Sequence, residues 1–397
     1  MKIAILTSGI LPVPAVQGGA VENLVDFYLE YNDRHKLHDI TVYSVWHPDV
    51  TQHPALTSEV NHYRYIKTDS RIAKIRKHLL HLINKKNEYY HYTIEYFLSR
   101  TLADIRKQRY DAIIIENRPA YALKLGKMPD TKLVFHLHNE KLDCKSQAAK
   151  EIYDCADKII TVSDYIANCV KTINSYDEKC ITVHNGIDLD AFSRNTISID
   201  RTSIGLRKQD FVIVFSGRLN SEKGILELIE AIGRLKDFPN IKLLVIGSSF
   251  YGSSHSTDPF IESLKAKAAN LNDRITFTGF IPYEQMPNFL RLADVAVIPS
   301  VWDDPFPTTV LEAQAMGLPI IATRRGGIPE EVTEANAILL DTNSQLPENL
   351  ANAILDLYQH PEKRVQMAEI SLQRSKYYNK ERYARDFFAA IATSCKV

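Results

Sequence analysis

Two carboxylates, Asp304 and Glu312, are separated by seven residues in the stretch from Trp302 to Pro319. The apolar run Ala293-Asp294-Val295-Ala296-Val297-Ile298-Pro299 before them reads as a buried parallel strand, and Ile320-Ile321-Ala322-Thr323 after them as another. The segment between predicts a loop and a short helix. A helix start offers unpaired backbone N–H groups to an anion, and a carboxylate inside the helix offers its oxygens to a diol. Phosphate plus a ribose diol is a nucleotide, and strand ends in doubly wound sheets are where such ligands bind. The bland alternative is a loop acid and a helix-surface acid. Glu312, however, lies in the mostly apolar run Val310 to Met316, so it is expected to be partly buried and to require donors.

Other residues fit the same chemistry. Arg218 and Lys223 lie in a loop between an apolar strand ending near Ser216 and a helix beginning near Gly224. Arginine grips phosphate oxygens in a fork and lysine supplies a compact charge, although two solvated surface cations would look alike. Gly18 and Gly19 precede a helix start, where a chain without side chains lets N–H groups approach an anion; a plain loop is the competing reading. Asp303 beside Asp304 has the look of a metal-binding acid pair, but Arg218 and Lys223 suffice to neutralise a diphosphate, so no metal is expected. His136 and His138, two residues apart at a strand end, share one face. A metal there needs a third ligand, and Glu140 is the obvious local one. The alternative is a hydrogen-bonded strand-end histidine that orients a hydroxyl or a sugar.

These residues need a scaffold of strand ends. Short β-branched runs predict strands near 2–7, 40–45, 62–67, 111–116, 132–137, 158–162 and 180–184. A second series falls near 211–216, 242–247, 275–278, 294–299, 319–323 and 337–341. Helical patterns such as Gly224–Leu235 and Pro259–Asn270 lie between most of them, which argues for βαβ units and parallel sheets. Thirteen strands are many for one sheet, so two are expected. The polar, aperiodic residues 189–210 read as the linker. Lys376–Ile391 is a final helical pattern with no strand after it.

Composition bounds the rest. With 397 residues and 45% hydrophobic content, the chain can build two or three ordinary globular domains. Formal net charge is zero, so no global field favours nucleic acid. Cys144, Cys155, Cys169, Cys180 and Cys395 form no Cys-x-x-Cys pair and suit reduced thiols in a cytoplasmic protein. Ile3-Ala4-Ile5-Leu6 is soon broken by polar residues and prolines, and reads as a first strand rather than a signal peptide. Residues 71–86 hold six Lys/Arg, no acid, and apolar residues at helical spacing. That segment fits a helix on an anionic membrane, or a solvated face packed on the first domain. Tyr89, Tyr90, Tyr92 and Tyr96 follow it, at a lipid interface or in packing.

Taken together these residues resemble the retaining glycosyltransferase family 4. The likeness rests on Asp304 and Glu312, which match the family's Glu, seven residues, Glu motif, and on Met316-Gly317-Leu318-Pro319 and Gly326-Gly327-Ile328-Pro329-Glu330. It rests also on Ser216-Gly217-Arg218-Leu219 with Glu222-Lys223-Gly224, on Asn185-Gly186-Ile187-Asp188, on Thr161-Val162-Ser163 and on the Gly18-Gly19 loop. It covers nearly the whole chain and implies an α/β protein of the GT-B fold. Two Rossmann-like βαβ domains would face each other across a cleft, with a C-terminal helix crossing back to the first. The expected boundaries are 1–190 plus about 376–397 for the acceptor-side domain, and 191–375 for the nucleotide-sugar domain.

By position, the resemblance implies that Arg218 and Lys223 hold the donor diphosphate and Glu312 accepts from the ribose hydroxyls. Asp304 faces the sugar hydroxyls, and Gly18 and Gly19 meet the phosphate side. Backbone groups of Phe280 and Ile281 contact the base, and Thr308 and Thr309 present helix-start amides. His138 aligns with the family histidine near the transferred sugar, with His136 the weaker match, so His138, Asp304, Arg218 and Lys223 form the catalytic set. Asp304 replaces the usual Glu and Pro307 the usual Gly, both at the sugar end of the pocket. The implied reaction moves a sugar from a nucleotide diphosphate, UDP-linked by expectation, to a hydroxyl acceptor with retention and without a cofactor. A lipid-linked or cell-surface glycan, as in polysaccharide assembly, is the expected acceptor, with peripheral membrane contact through 71–86. The rival readings are a nucleotide-sugar epimerase on this fold and a non-catalytic nucleotide-binding subunit.

Overall fold

A computed structural model describes residues 1–83, 91–126, 128–195, 199–248 and 258–392. Lys85, Lys86, Tyr89, Tyr90 and Cys395 therefore lie outside the described residues. The chain divides into two compact units, Met1–Asn185 with Glu381–Val397, and Gly186–Lys380.

The first unit is a parallel sheet of β1 (Lys2–Leu6), β2 (Asp39–Val45), β3 (Asn61–Ile66), β4 (Ala112–Glu116), β5 (Lys132–Leu137), β6 (Lys158–Thr161) and β7 (Cys180–Thr182). Its helices are α1 (Ala20–His35), α2 (Arg71–Ile83), α3 (Tyr92–Ile105), α4 (Ala122–Leu125), α5 (Ala149–Cys155) and α6 (Asp164–Lys171). The strand order β3-β2-β1-β4-β5-β6-β7 puts the order reversal between β1 and β4, where the following loops diverge. β1 and β4 are buried on both faces, which is why their sequences run apolar instead of alternating. The Thr161-Val162-Ser163 motif ends β6 and starts α6: Ser163 Oγ accepts the Ile166 N–H at 3.2 Å as the N-cap.

The second unit is a parallel sheet of β8 (Phe211–Ser216), β9 (Ile241–Ile246), β10 (Ile275–Gly279), β11 (Val295–Ile298), β12 (Ile320–Thr323) and β13 (Ala337–Leu340), in the order β10-β9-β8-β11-β12-β13. Its helices are α7 (Ile225–Arg234), α8 (Pro259–Ala269), α9 (Met286–Leu290), α10 (Thr308–Ala315), α11 (Ile328–Glu331), α12 (Leu346–Gln359) and α13 (Pro361–Ser375). The order reverses between β8 and β11, and the loops after these strands carry Arg218, Lys223 and Asp304. Each unit is a Rossmann-like layer of parallel strands and helices.

The final helix, α14 (Lys380–Ala392), buries Tyr383, Ala384, Phe387, Phe388, Ala390 and Ile391 in the core of the first unit. Phe387 stacks on Tyr28 with ring centroids 4.2 Å apart. The unit boundaries fall at 185/186 and 380/381, not at 190 and 376. The reason is a backbone tie: Ile187 N–H donates to Tyr378 O at 2.7 Å and Lys380 N–H to Ile187 O at 3.0 Å, so both segments belong to the second unit. Lys376–Tyr378 forms a 3-10 turn, and the α-helix begins after it. The linker is anchored rather than loose: Arg194 donates to Met316 O at 3.0 Å and to Gly317 O, capping the C-terminal end of α10.

Candidate functional site

In the second unit the loop after β8 is shaped by backbone chemistry. Asn220 Oδ1 accepts from Lys223 N at 3.2 Å and closes a 3-10 turn over Ser221–Lys223. Gly224 follows at φ +70°, where a Cβ would lie 1.8 Å from Pro299 O; only glycine lets this turn press on the end of β11. Glu222 O accepts from Val301 N at 2.9 Å and Trp302 N at 3.2 Å, which fixes the β8 loop to the β11 loop. The Lys223 ammonium thereby meets the Asp304 carboxylate in an ion pair, and lies 5.6 Å from the Trp302 ring centroid. Arg218 is exposed at the same strand end.

Asp303 is used differently. Its Oδ1 lies 3.1 Å from Arg325 Nε and accepts from Gly326 N at 3.2 Å, so it does not join Asp304 as an acid pair. Asp304 O accepts from Gly327 N at 2.7 Å, and a Cβ on Gly326 would fall 2.1 Å from that oxygen. The Gly326-Gly327 motif is thus a backbone clamp on Asp304.

Helix α10 begins at Thr308 after Pro307, and no side chain caps it. That leaves the first-turn amides, Thr308 and Thr309 among them, without a side-chain acceptor. Glu312, one turn along, is 5% exposed. Burial pushes its carboxyl up to about 7, against a hydrogen bond from the Thr308 hydroxyl. Phe280 and Ile281 follow β10 at the same edge of the sheet, partly buried and outside any helix or strand. The structure therefore pairs Lys223 with Asp304 across adjacent loops and places Thr308, Thr309 and Glu312 on the helix that follows the Asp304 loop, with Arg218 on the loop of Lys223.

Two second-unit residues escaped the sequence reading. Tyr283 is partly buried with its ring 5.2 Å from that of Phe192, and desolvation, then the charge of Glu312, raises its phenol well above the ordinary range. Glu331 is fully buried with neither carboxylate oxygen hydrogen-bonded. Burial first, then the charge of Asp304, pushes its carboxyl well above the ordinary carboxylate range. It follows Glu330 directly and carries no periodicity signal.

In the first unit two neighbouring strands, β4 and β5, and helix α1 deliver polar groups to one sheet edge. Glu116 ends β4, opposite His136 of β5, and His138 lies just beyond β5. Glu116 is fully buried and accepts from the Tyr28 hydroxyl at 2.9 Å, while His136 Nδ1 lies 3.0 Å and His138 Nε2 3.1 Å from its Oε2. Burial works to raise the Glu116 carboxyl, but the two histidines outweigh it and hold it low. Burial, then His136, pushes His138 down to about 4, so its imidazole is neutral. The carboxylate partner of the histidine pair is therefore Glu116, not Glu140. Glu116 sits twenty residues upstream of His136, and only the β4–β5 register shows the pairing. Glu116, His136 and His138 offer donor atoms within 4.8 Å of one another, a spacing that would also admit a metal ion.

Gly18 and Gly19 take φ +73° and +109° before α1. This turn faces an acid of its own chain: a Cβ on Gly19 would lie 2.2 Å from Glu22 Oε2. Burial pushes the Glu22 carboxyl up to about 7, with Glu116 adding to the rise.

Two parallel sheets, the second with an acid-and-amide helix start beside its switch point, define an α/β protein of Rossmann-like units. The sequence profile "Glycosyl transferases group 1" matches residues 196–374, and "Glycosyltransferase Family 4" matches residues 32–191. Spore coat protein SA of Bacillus subtilis (strain 168) is 30% identical over 94% of this chain and 93% of its own length. The putative glycosyltransferase YtcC of the same organism is 29% identical over 89% and 82%. Among solved structures, Anabaena Alr3699/HepE in complex with UDP and glucose superposes with a TM-score of 0.74 at 20% identity, over 99% of this chain and 100% of that one. Sucrose-phosphate synthase of Thermosynechococcus elongatus gives 0.76 at 22% identity, over 98% and 100%. The chain belongs to glycosyltransferase family 4 and has the GT-B fold; it is a glycosyltransferase.

Proposed function

We propose that the protein is a retaining glycosyltransferase that moves a hexosyl or N-acetylhexosaminyl group from a UDP-sugar to a hydroxyl acceptor. The observation that carries this is the Lys223–Asp304 ion pair beside the uncapped start of α10, with Glu312 buried one turn inside. On this reading Arg218, Lys223 and the Thr308 and Thr309 amides take the charge that builds on the leaving diphosphate, and no metal is needed there. Glu312 accepts from the ribose diol, and Asp304 faces the sugar. Phe280 and Ile281 offer backbone groups to the base. The Gly18-Gly19 turn and His138 act from the first unit on the phosphate and sugar ends. The UDP and glucose in the HepE structure support a UDP-linked donor.

The acceptor we infer is a lipid-linked or surface glycan, with the protein cytoplasmic and resting on the membrane. The support is α2, whose Ile72, Ile75 and Leu79 are 66%, 64% and 53% exposed on a helix with Arg71, Lys74, Arg76 and Lys77 and no acid. No helix among the described residues is long and apolar enough to cross a membrane.

The test is a thermal-shift panel of UDP, GDP, ADP and dTDP with their sugar conjugates, since a ligand of the folded state raises Tm by mass action. A shift with the uridine compounds, lost in Glu312→Ala, supports the assignment. Equal shifts in Glu312→Ala overturn the ribose contact, and a shift with another nucleotide overturns the donor. Anomeric NMR of the product then reads retention directly.

A further inference from the structure

We propose that Glu116 is the positioning residue of His138, holding its ring as the Nε2–H tautomer so that Nδ1 carries the lone pair offered to a sugar hydroxyl. The argument is one of donors and acceptors. An ionised carboxylate only accepts, so every group that meets it must donate. Glu116 Oε1 takes the Tyr28 hydroxyl at 2.9 Å, and His136 Nδ1 lies 3.1 Å away from the same oxygen. Oε2 meets His138 Nε2 at 3.1 Å. His136 Nδ1 and His138 Nε2 also lie 3.3 Å from each other, and with both turned to the acceptor-only carboxylate each carries its hydrogen toward Glu116. The remaining ring nitrogen of His138 is then an acceptor.

The register makes this arrangement rigid. Glu116 pairs with His136 across β4 and β5, and His136 packs against Phe387 at 5.0 Å between ring centroids. Asn117 takes φ +55° and accepts the His138 backbone N–H at 3.1 Å and Asn139 Nδ2 at 2.7 Å, which fixes the backbone that carries the ring. The chemical need is plain. Positive charge builds on the sugar ring as the bond to phosphate breaks, and an imidazolium there would oppose it. A neutral acceptor with a carboxylate behind it favours it. The same constellation of a carboxylate fixing a histidine tautomer serves other transfer enzymes in a different role.

This inference rests on the reading of His138 as a sugar-facing residue, and the experiment separates the two. Protein labelled with 15N-histidine has 13 histidines, and His138→Gln identifies the His138 signals by their loss. In the wild type at pH 7.5 the His138 signals are expected in the Nε2–H pattern. In Glu116→Gln the side-chain amide can donate, and the pattern is expected to shift toward Nδ1–H. With it kcat falls about 10- to 100-fold, the range for loss of a residue that orients a reacting group, while KM for the donor stays within about two-fold. Tyr28→Phe leaves the carboxylate and is expected to keep the wild-type tautomer, with a smaller fall in kcat. Unchanged UDP thermal shifts in both variants show that the second unit is intact. An Nδ1–H pattern in the wild type, an unchanged pattern in Glu116→Gln, or one equivalent of zinc or iron in the purified protein that His138→Gln removes would each overturn the proposal. Full turnover by His138→Gln beside the expected tautomers would overturn instead the reading of His138.

Discussion

The Lys223 ammonium is ion-paired with the Asp304 carboxylate, two residues 81 positions apart that the β8 and β11 loops bring together. The lysine assigned to the diphosphate and the acid assigned to the sugar therefore share one charge balance. A diphosphate arriving at Lys223 adds negative charge beside Asp304, so the acid opposes nucleotide binding while it positions the sugar. Asp304→Asn is accordingly expected to bind UDP more tightly, by about 10-fold for roughly 1.4 kcal/mol of relieved repulsion, and to transfer sugar more slowly. Calorimetry with UDP and steady-state kinetics check this together. Weaker UDP binding in Asp304→Asn would refute the shared balance.

Glu312 gives a pH dependence with a definite sign. Its carboxyl is pushed up to about 7 by burial, and the ionised form accepts the paired ribose hydroxyls more strongly, because protonation turns one of its two oxygens into a donor. Affinity for a UDP-sugar, whose diphosphate diester does not titrate near neutrality, should rise as pH goes from 6 to 8 and then level off. Calorimetry in two buffers of different ionisation enthalpy should detect protons released on binding below pH 7. A flat profile would remove Glu312 from the ribose contact.

Raised acids also set the pH dependence of stability. Glu22 and Glu312 are pushed up to about 7 and Asp26 to about 8, each chiefly by burial. Between the ordinary carboxylate range and these values the folded state binds more protons than the unfolded state, so stability falls as pH rises. His138, depressed to about 4, works in the opposite direction, but only as pH falls below its ordinary 6.5. Tm should therefore decrease steadily from pH 6.5 to 8.5. Asp26→Asn should flatten the upper part of that slope.

Much of the fold was legible because both sheets are parallel and buried. Such strands are short apolar runs, and β1, β4, β8 and β11 stand out against the amphipathic helices between them. Lys223 and Asp304 stood out as candidates for a related reason, since each lies in the loop that follows a buried strand, and Glu312 stood out because it interrupts an apolar helix. Glu116 was not. It ends the run Ala112-Ile113-Ile114-Ile115, where a terminal acid looks like the polar end of a strand, and its partners come from β5 and α1. Cross-strand register, not local spacing, makes that site. The anchoring of residues 189–210 was not legible either, because Arg194 finds its acceptors more than a hundred residues away, at the end of α10.

The glycine clamp on Asp304 predicts a loss of function without unfolding. Gly326 adopts φ +55°, and a Cβ would fall 2.1 Å from Asp304 O. Gly326→Ala therefore combines a left-handed strain of about 1 kcal/mol with a clash that only movement of the Asp304 backbone relieves. Transfer should drop by at least 10-fold while Tm falls by a few degrees, about what 1–2 kcal/mol implies for a unit of this size. Gly205→Ala, also at positive φ but with nothing within 4 Å of the added carbon, is the control and should lose stability alone.

Helix α2 predicts salt-dependent adsorption. Ile72, Ile75 and Leu79 recur at helical spacing and all three are exposed, so the apolar stripe is turned outward rather than into the first unit. Arg71, Lys74, Arg76 and Lys77 share the helix, and each basic residue near an anionic surface contributes about 1 kcal/mol, an attraction that fades as salt shortens the Debye length. Vesicles containing anionic lipid should retain the protein at low salt and release most of it at high salt, and neutral vesicles should retain little. Ile75→Glu places a charge in the stripe and should weaken retention by about 10-fold or more without altering UDP binding, because the second unit is untouched. Equal retention on neutral and anionic vesicles, or full retention of Ile75→Glu, would show that α2 does not meet the lipid.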